Sequence, residues 1–267
     1  MMKKHISQIS HAEKRVYELF FAVVTGLFLL CTIYTQFNPL LLVQNSENFW
    51  AFLKEDFFPP ALPGVEKLSN IIGSVFVTVA MAVSSTAAAA VIAFFVSLFA
   101  SESVSPVPGL AKAVRGFATF LRNIPALVWA FILFSSLGIG TGVGFVALFL
   151  TSFAFMVRAF AETMEDISQD CLESLQAVGG SFPQRVAHGV LPSCLSGFLS
   201  WFLYCVEVNI RASTIVGMVG GGGVGLVLFS YIKSFKYHIA FSIILLIAVM
   251  VIAVDLFTGY LRRELSR

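Results

Sequence analysis

Two stretches hold the residues best suited to recognition or chemistry. The first is ESLQAVGGSFPQRVAHGVLP, Glu173 to Pro192, inside a polar interval that runs from Glu162 to His188. Acidic residues come first (Glu162, Glu165, Asp166, Asp170, Glu173), and Arg185 and His188 follow. Ser168 stands where an N-cap belongs, Leu172, Leu175 and Val178 recur every three residues, and Gly179–Gly180 can end the helix. Such a short amphipathic helix either tucks a loop against a surface or docks a soluble partner, and periodicity alone leaves both open. The second stretch is VEVNIRASTIVGMVGGGGVG, where Glu207, Asn209 and Arg211 precede Gly217, Gly220, Gly221, Gly222, Gly223 and Gly225. A phosphate-cradling loop needs Lys-Ser/Thr after its glycines, and none follows, so nucleotide binding by this chain is not expected. Glu207 and Arg211, four apart, share a helix face and can pair. Either the pair only satisfies two costly charges, or Arg211 meets an anionic substrate with Glu207 and Asn209 positioning it. Cys31, Cys171, Cys194 and Cys205 have no metal-ligand or redox spacing, and the four histidines do not cluster. No serine has an apparent His/Asp partner set, so catalysis by this chain is not expected.

The elements that must position these residues follow from composition. The chain has 267 residues, 58% hydrophobic and 12% charged, with a mean hydropathy of +0.88. About 25% charged residues is usual for soluble domains. Apolar runs reach the roughly 20 residues that a spanning helix needs, so the chain reads as an all-α integral membrane protein. A net charge of +2 gives no footprint for nucleic acid.

Six spans are expected, near Tyr17–Tyr34, Ile71–Ala100, Phe117–Leu137, Phe145–Phe160, Leu191–Ile210 and Ile239–Tyr260. The first lacks a small-x-small site after Ile33 and reads as retained. Prolines at 59, 60 and 63 break the aromatic-rich interval 36–69, which suits the interface, and Pro106 and Pro108 break 101–116. The third span carries Arg122, Asn123 and Pro125 near its start, with Arg122 expected to snorkel at an interface. The small residues Ser84 to Ala90 predict close approach of another helix. Twelve of the 17 Lys and Arg residues lie in the termini, 101–122 and 158–188. That excess predicts cytoplasmic termini and a cytoplasmic 162–188 loop. The expected organisation is a segment 1–16, a membrane domain 17–260 with its core at 65–260, and a tail 261–267.

Glu173, Gly179 six residues on, and Leu191-Pro192 resemble the cytoplasmic loop signature of ABC importer permeases. That signature is Glu-Ala-Ala, three residues, Gly, nine residues, an aliphatic residue, one residue, then Leu-Pro. Ser174 and Leu175 replace the alanines, and Gly189 replaces the aliphatic residue. With LRNIPALVWA (Leu121–Ala130) and LYCVEVNIRASTIVGMVGGGGVG (Leu203–Gly225), the chain is similar to the phosphonate-uptake permeases over most of 65–260. The resemblance implies a type I ABC importer permease fold and inward phosphonate transport by alternating access, or transport of phosphite, hypophosphite or phosphate. It also implies a homodimer in the cell inner membrane, an extracytoplasmic substrate-binding protein, and two cytoplasmic subunits that bind ATP, with no cofactor in this chain. Glu173, Gly179, Arg185, Leu191 and Pro192 would then couple to the ATPase. Glu207, Asn209, Arg211, Gly220, Gly221 and Gly223 would belong to the substrate path. An ion-gradient-driven carrier or channel is the rival from another class. It would need an intramembrane acid relay, for which Glu207 and Asp255 are the main candidates, and it gives the docking-type loop no role.

Overall fold

A bilayer offers no partner for free backbone N–H and C=O groups, so a chain this apolar must satisfy them within helices or a closed barrel. The computed structural model describes residues 2–61, 63–105, 107, 109–167 and 169–265. Every regular element among them is helical. Ser168, Pro106 and Pro108, singled out above as a cap and as breakers, lie outside the described residues. Five helices are long and apolar enough to cross a membrane, and a sixth crossing is completed if a bent helix pair counts as one span.

Residues 1–58 form one compact unit and 59–267 another. The first contains α1 (Met2–Tyr34), α2 (Pro39–Gln44), α3 (Ser46–Phe52) and a π-turn at Leu53–Phe57. In α2, the Asn38 side chain caps by accepting from the Leu40 N–H at 3.0 Å.

The second unit begins with α4 (Val65–Ala100), followed by α5 (Leu110–Arg122), α6 (Ala126–Leu137) and α7 (Thr141–Ile167). Then come α8 (Gln169–Ala177), α9 (Phe182–Arg185), α10 (Leu191–Val216), α11 (Gly223–Lys233) and α12 (Tyr237–Leu265). Helix α4 packs most extensively on α7, and both meet α10. The expected small-residue surface is their seam: Ala82, Ser85, Thr86, Ala89 and Ala93 are fully buried at helical spacing. At one end of the bundle, hereafter the loop end, the Arg115 Nε donates to the Ala100 carbonyl at 2.7 Å, occupying an oxygen that α4 leaves open at its terminus. The same guanidinium meets Glu165 at 2.5 Å, so α4, α5 and α7 are joined there.

Three expected boundaries change. The third span is not straight: α5 and α6 meet at 82°. Pro125 has no N–H to continue α5 and pushes the residue before it out of the helical region, so the chain turns at Asn123–Pro125. The fourth span runs past Phe160 to Ile167, so Glu162, Glu165 and Asp166 belong to α7 rather than to a loop. The fifth does not start at Leu191, because one apolar helix continues from Phe182 to Gly221.

One buried amide joins the three central helices. Asn209 of α10 is 3% exposed, and its Nδ2 donates to Thr86 Oγ1 of α4 at 2.7 Å and to Ser152 Oγ of α7 at 2.6 Å. Interhelical bonds of this kind contribute about 0.6–2 kcal/mol each in membranes. Asn209→Leu should therefore cost about 1–3 kcal/mol, read as a lower melting temperature of the detergent-purified protein. An unchanged melting temperature would show that the amide does not hold these helices together.

Candidate functional site

The Glu173–Pro192 stretch folds as a helix, a tight reversal and a second helix that leads directly into the membrane helix α10. Helix α8 ends in a Schellman motif: the Gly179 N–H donates to the Gln176 carbonyl at 3.0 Å, and the Gly180 N–H to the Leu175 carbonyl at 2.9 Å. Gly179 has φ +78°, which L-residues rarely adopt, and a Cβ on Gly180 would meet the Leu175 carbonyl oxygen at 2.8 Å. The reversal therefore depends on both glycines. Beyond it, the Ser181 N–H and Oγ both donate to Gln184 Oε1 at 2.8 Å and start α9. Pro192 would break a regular helix, but a π-turn at Val186–Val190 precedes it, with the Leu191 N–H reaching the Val186 carbonyl five residues back. The helix thus passes the proline without ending.

Leu172 is buried beside Val190 and Met164. The expected apolar stripe is shorter than Leu172–Leu175–Val178, because α8 ends at Ala177 and Val178 is 81% exposed. Glu173, Leu191 and Pro192 are exposed and Arg185 is half-buried. The two departures from the loop signature answer each other. A Cβ on Gly189 would lie 3.0 Å from the Leu175 Cδ1, so Leu175 occupies the space that an aliphatic residue at 189 would fill. A large residue has moved from one side of the contact to the other.

In the interior, Glu207 and Arg211 pair at 2.9 Å as their spacing predicts. They are not alone: Arg211 also meets Asp255 of α12 at 3.3 Å, and Glu207 meets Arg262 at 2.5 Å. Two acids and two arginines form a neutral quartet that clamps α10 to α12. Asn209 is not part of it, because a residue two positions along points to the opposite side of a helix, where it meets Thr86 and Ser152. The structure therefore separates Asn209 from the Glu207–Arg211 pair that it was expected to assist. Sequence spacing gives no sign of Arg262 as a partner. Asp255, an isolated acid in the last span, was the visible hint of the quartet.

The glycine cluster is a crossing between helices. A π-turn at Gly217–Gly221 ends the long helix, and Gly220, at φ +103°, accepts from the Gly140 N–H at 2.9 Å. The Val224 N–H donates to Thr78 Oγ1 at 2.8 Å. A Cβ on Gly225 would run into the Thr214 carbonyl oxygen, and one on Gly223 into Thr78 Oγ1. Gly220 and Gly221 are buried and Gly223 is half-buried in this packing. Among the described residues, no group of three His, Cys, Asp or Glu side chains could hold a metal ion.

A family model described as "Binding-protein-dependent transport system inner membrane component" matches residues 93–267. This chain belongs to the ABC importer permease family. The permease is 32% identical over 243 residues to the phosphite transport system permease protein PtxC of Stutzerimonas stutzeri, covering 91% of this chain and 87% of the relative. It is 30% identical over 245 residues to the phosphate-import permease protein PhnE of Mycolicibacterium smegmatis, covering 91% of this chain but only 45% of that longer relative. Among solved structures, an inward-facing form of the MetNI methionine ABC transporter superposes with a TM-score of 0.68 at 20% identity, covering 77% of the permease and all of that chain. The permease therefore has the type I importer fold and is a non-catalytic, multi-pass membrane subunit.

The exchanged loop contact gives a prediction. Leu175→Ala alone opens a gap and should cost roughly 1–3 kcal/mol, and Gly189→Ile alone overpacks by a similar amount. The double variant should recover about 1 kcal/mol or more of the summed loss. Melting temperatures of the three proteins measure this. Additive losses would mean that the two positions do not share space.

Proposed function

We propose that this permease carries a small phosphorus oxyanion of the phosphate, phosphite and phosphonate class into the cell. Relatives named for phosphate and phosphite import widen the phosphonate reading to that class. Two copies would form the pathway, with a substrate-binding protein on the outer face and two ATP-binding subunits on the inner face. Both termini and the Glu173–Pro192 loop would be cytoplasmic.

One observation carries the coupling role: the second half of the signature segment, from Phe182, is the start of the long helix that continues to Gly221. In this reading α8 and α9 seat in the ATPase, with exposed Glu173 and half-buried Arg185 at the contact and Gly179 setting the reversal. Closure of the ATP-loaded subunits pushes on α8 and α9. The helix passes that push through the π-turn at Val186–Val190 into α10, past Leu191 and Pro192. The quartet carries it to α12, and Asn209 carries it to α4 and α7. Alternating access then follows as the helices re-orient around a path open to one side at a time.

The test is uptake of labelled phosphate, phosphite and methylphosphonate into proteoliposomes holding the permease and its ATPase, with the binding protein supplied. ATP-dependent uptake of at least one anion is expected. Glu173→Arg should weaken ATPase association and lower uptake roughly tenfold or more, because reversing a charge at a docking contact opposes binding. Uptake that proceeds without the ATPase would overturn the coupling role, and failure of all three anions would overturn the substrate class.

A further inference from the structure

Helices α5 and α7 run side by side, joined across the seam by polar contacts of their arginines. Nearest the loop end, Arg115 pairs with Glu165 at 2.5 Å. Further in, Arg158 pairs at 3.1 Å with Glu162 one turn along the same helix and donates across the seam to Thr119 Oγ1 at 3.3 Å. At the 82° bend the pattern changes. Arg122 lies over the Phe155 ring, 5.8 Å from its centroid, and makes no ion pair among the described residues. Phe155 is ten residues before Glu165 on α7, about 15 Å along the helix. Arg122 itself is exposed, at the turn between α5 and α6.

Arg122 stands at the edge of a mostly apolar cavity of about 160 Å³ that Ser152, Phe155, Tyr204, Cys205, Val208 and Asn209 also line. Ser152 is 3% exposed, accepts from Asn209, and donates no hydrogen bond among the described residues. A buried hydroxyl proton with no acceptor is uncommon in proteins. An unbalanced guanidinium within a membrane segment is costly and points to function. The cavity thus offers a planar cation and a free hydroxyl donor but no carboxylate, which suits the oxygens of a small anion. Arg211 offers no such opening, because Glu207 and Asp255 already flank it and would repel an arriving anion.

We propose that Arg122, with Ser152 beside it, forms the contact at which the permease holds its oxyanion during transit. This rests on the phosphorus-oxyanion reading above. One arginine on an aromatic ring, without a second cation, gives the weak hold that a transit site needs so that the ion can leave again.

Arg122→Met is the decisive variant. It leaves no carboxylate orphaned, so it should assemble with the ATPase and binding protein as well as wild type does. Uptake of labelled phosphate, phosphite and methylphosphonate is measured in proteoliposomes, alongside ATPase stimulation by the loaded binding protein. The expected result is an intact complex, retained stimulation, and uptake reduced roughly 10- to 100-fold. Arg122→Lys should restore part of the uptake with a raised KM. Wild-type uptake by Arg122→Met overturns the proposal, and so does failure of that variant to assemble, since the guanidinium would then be structural. If wild-type protein carries none of the three anions while its ATPase still responds to the binding protein, the substrate reading fails, and the Arg122 site falls with it.

Discussion

The carboxamide of Asn209 is the contact on which the membrane bundle turns. Its two donated bonds, to Thr86 and Ser152, bring α4, α7 and α10 to one point. There the α4 face is built of small residues, Ala82, Ser85, Thr86 and Ala89. Apolar packing alone discriminates poorly between helix registers in lipid, because lipid tails are as apolar as leucine. A buried amide that must find two oxygens permits few registers. The opposite face of the same helix carries the neutral quartet that holds α12. Helix α10 is therefore fixed on both sides by polar contacts set in apolar surroundings.

The loop at the other end of the long helix depends on backbone geometry more than on side-chain chemistry. Its signature glycine is a residue at φ +78°, and its signature proline follows a π-turn that has already widened the helix. Gly179 answers to a φ that few other residues adopt, and Pro192 is accommodated because the π-turn before it spares the bond it cannot donate. The alanine and aliphatic positions answer to volume instead, and volume is shared. Leu175 takes the space beside residue 189 that glycine leaves open.

Much of this was legible in the sequence. Apolar run lengths gave the spans, Gly179–Gly180 marked the end of α8, and the spacing of Glu207 and Arg211 marked their pairing, while the bend at Pro125 lies within what reads as one span. Contacts across long separations were not legible. Nothing near Asn209 announces Thr86 or Ser152, and nothing near Glu207 announces Arg262, because partners of this kind are set by packing rather than by local periodicity. The place of Arg122 over the Phe155 ring was not legible for a related reason, because the 82° turn between α5 and α6 sets it.

The position of Asn209 along its helix has a mechanical consequence. The helix that begins at Phe182 and ends at Gly221 has 40 residues, about 60 Å. Asn209 lies about 40 Å from Phe182 and about 13 Å from Met218, after which the backbone leaves helical geometry at Val219 and Gly220. A helix pivoting there as one body would have unequal arms, in a ratio of roughly three to one. A broad swing at the loop end would then become a shorter, oppositely directed movement at the glycine crossing, which would open by a small step even when the loop travels far.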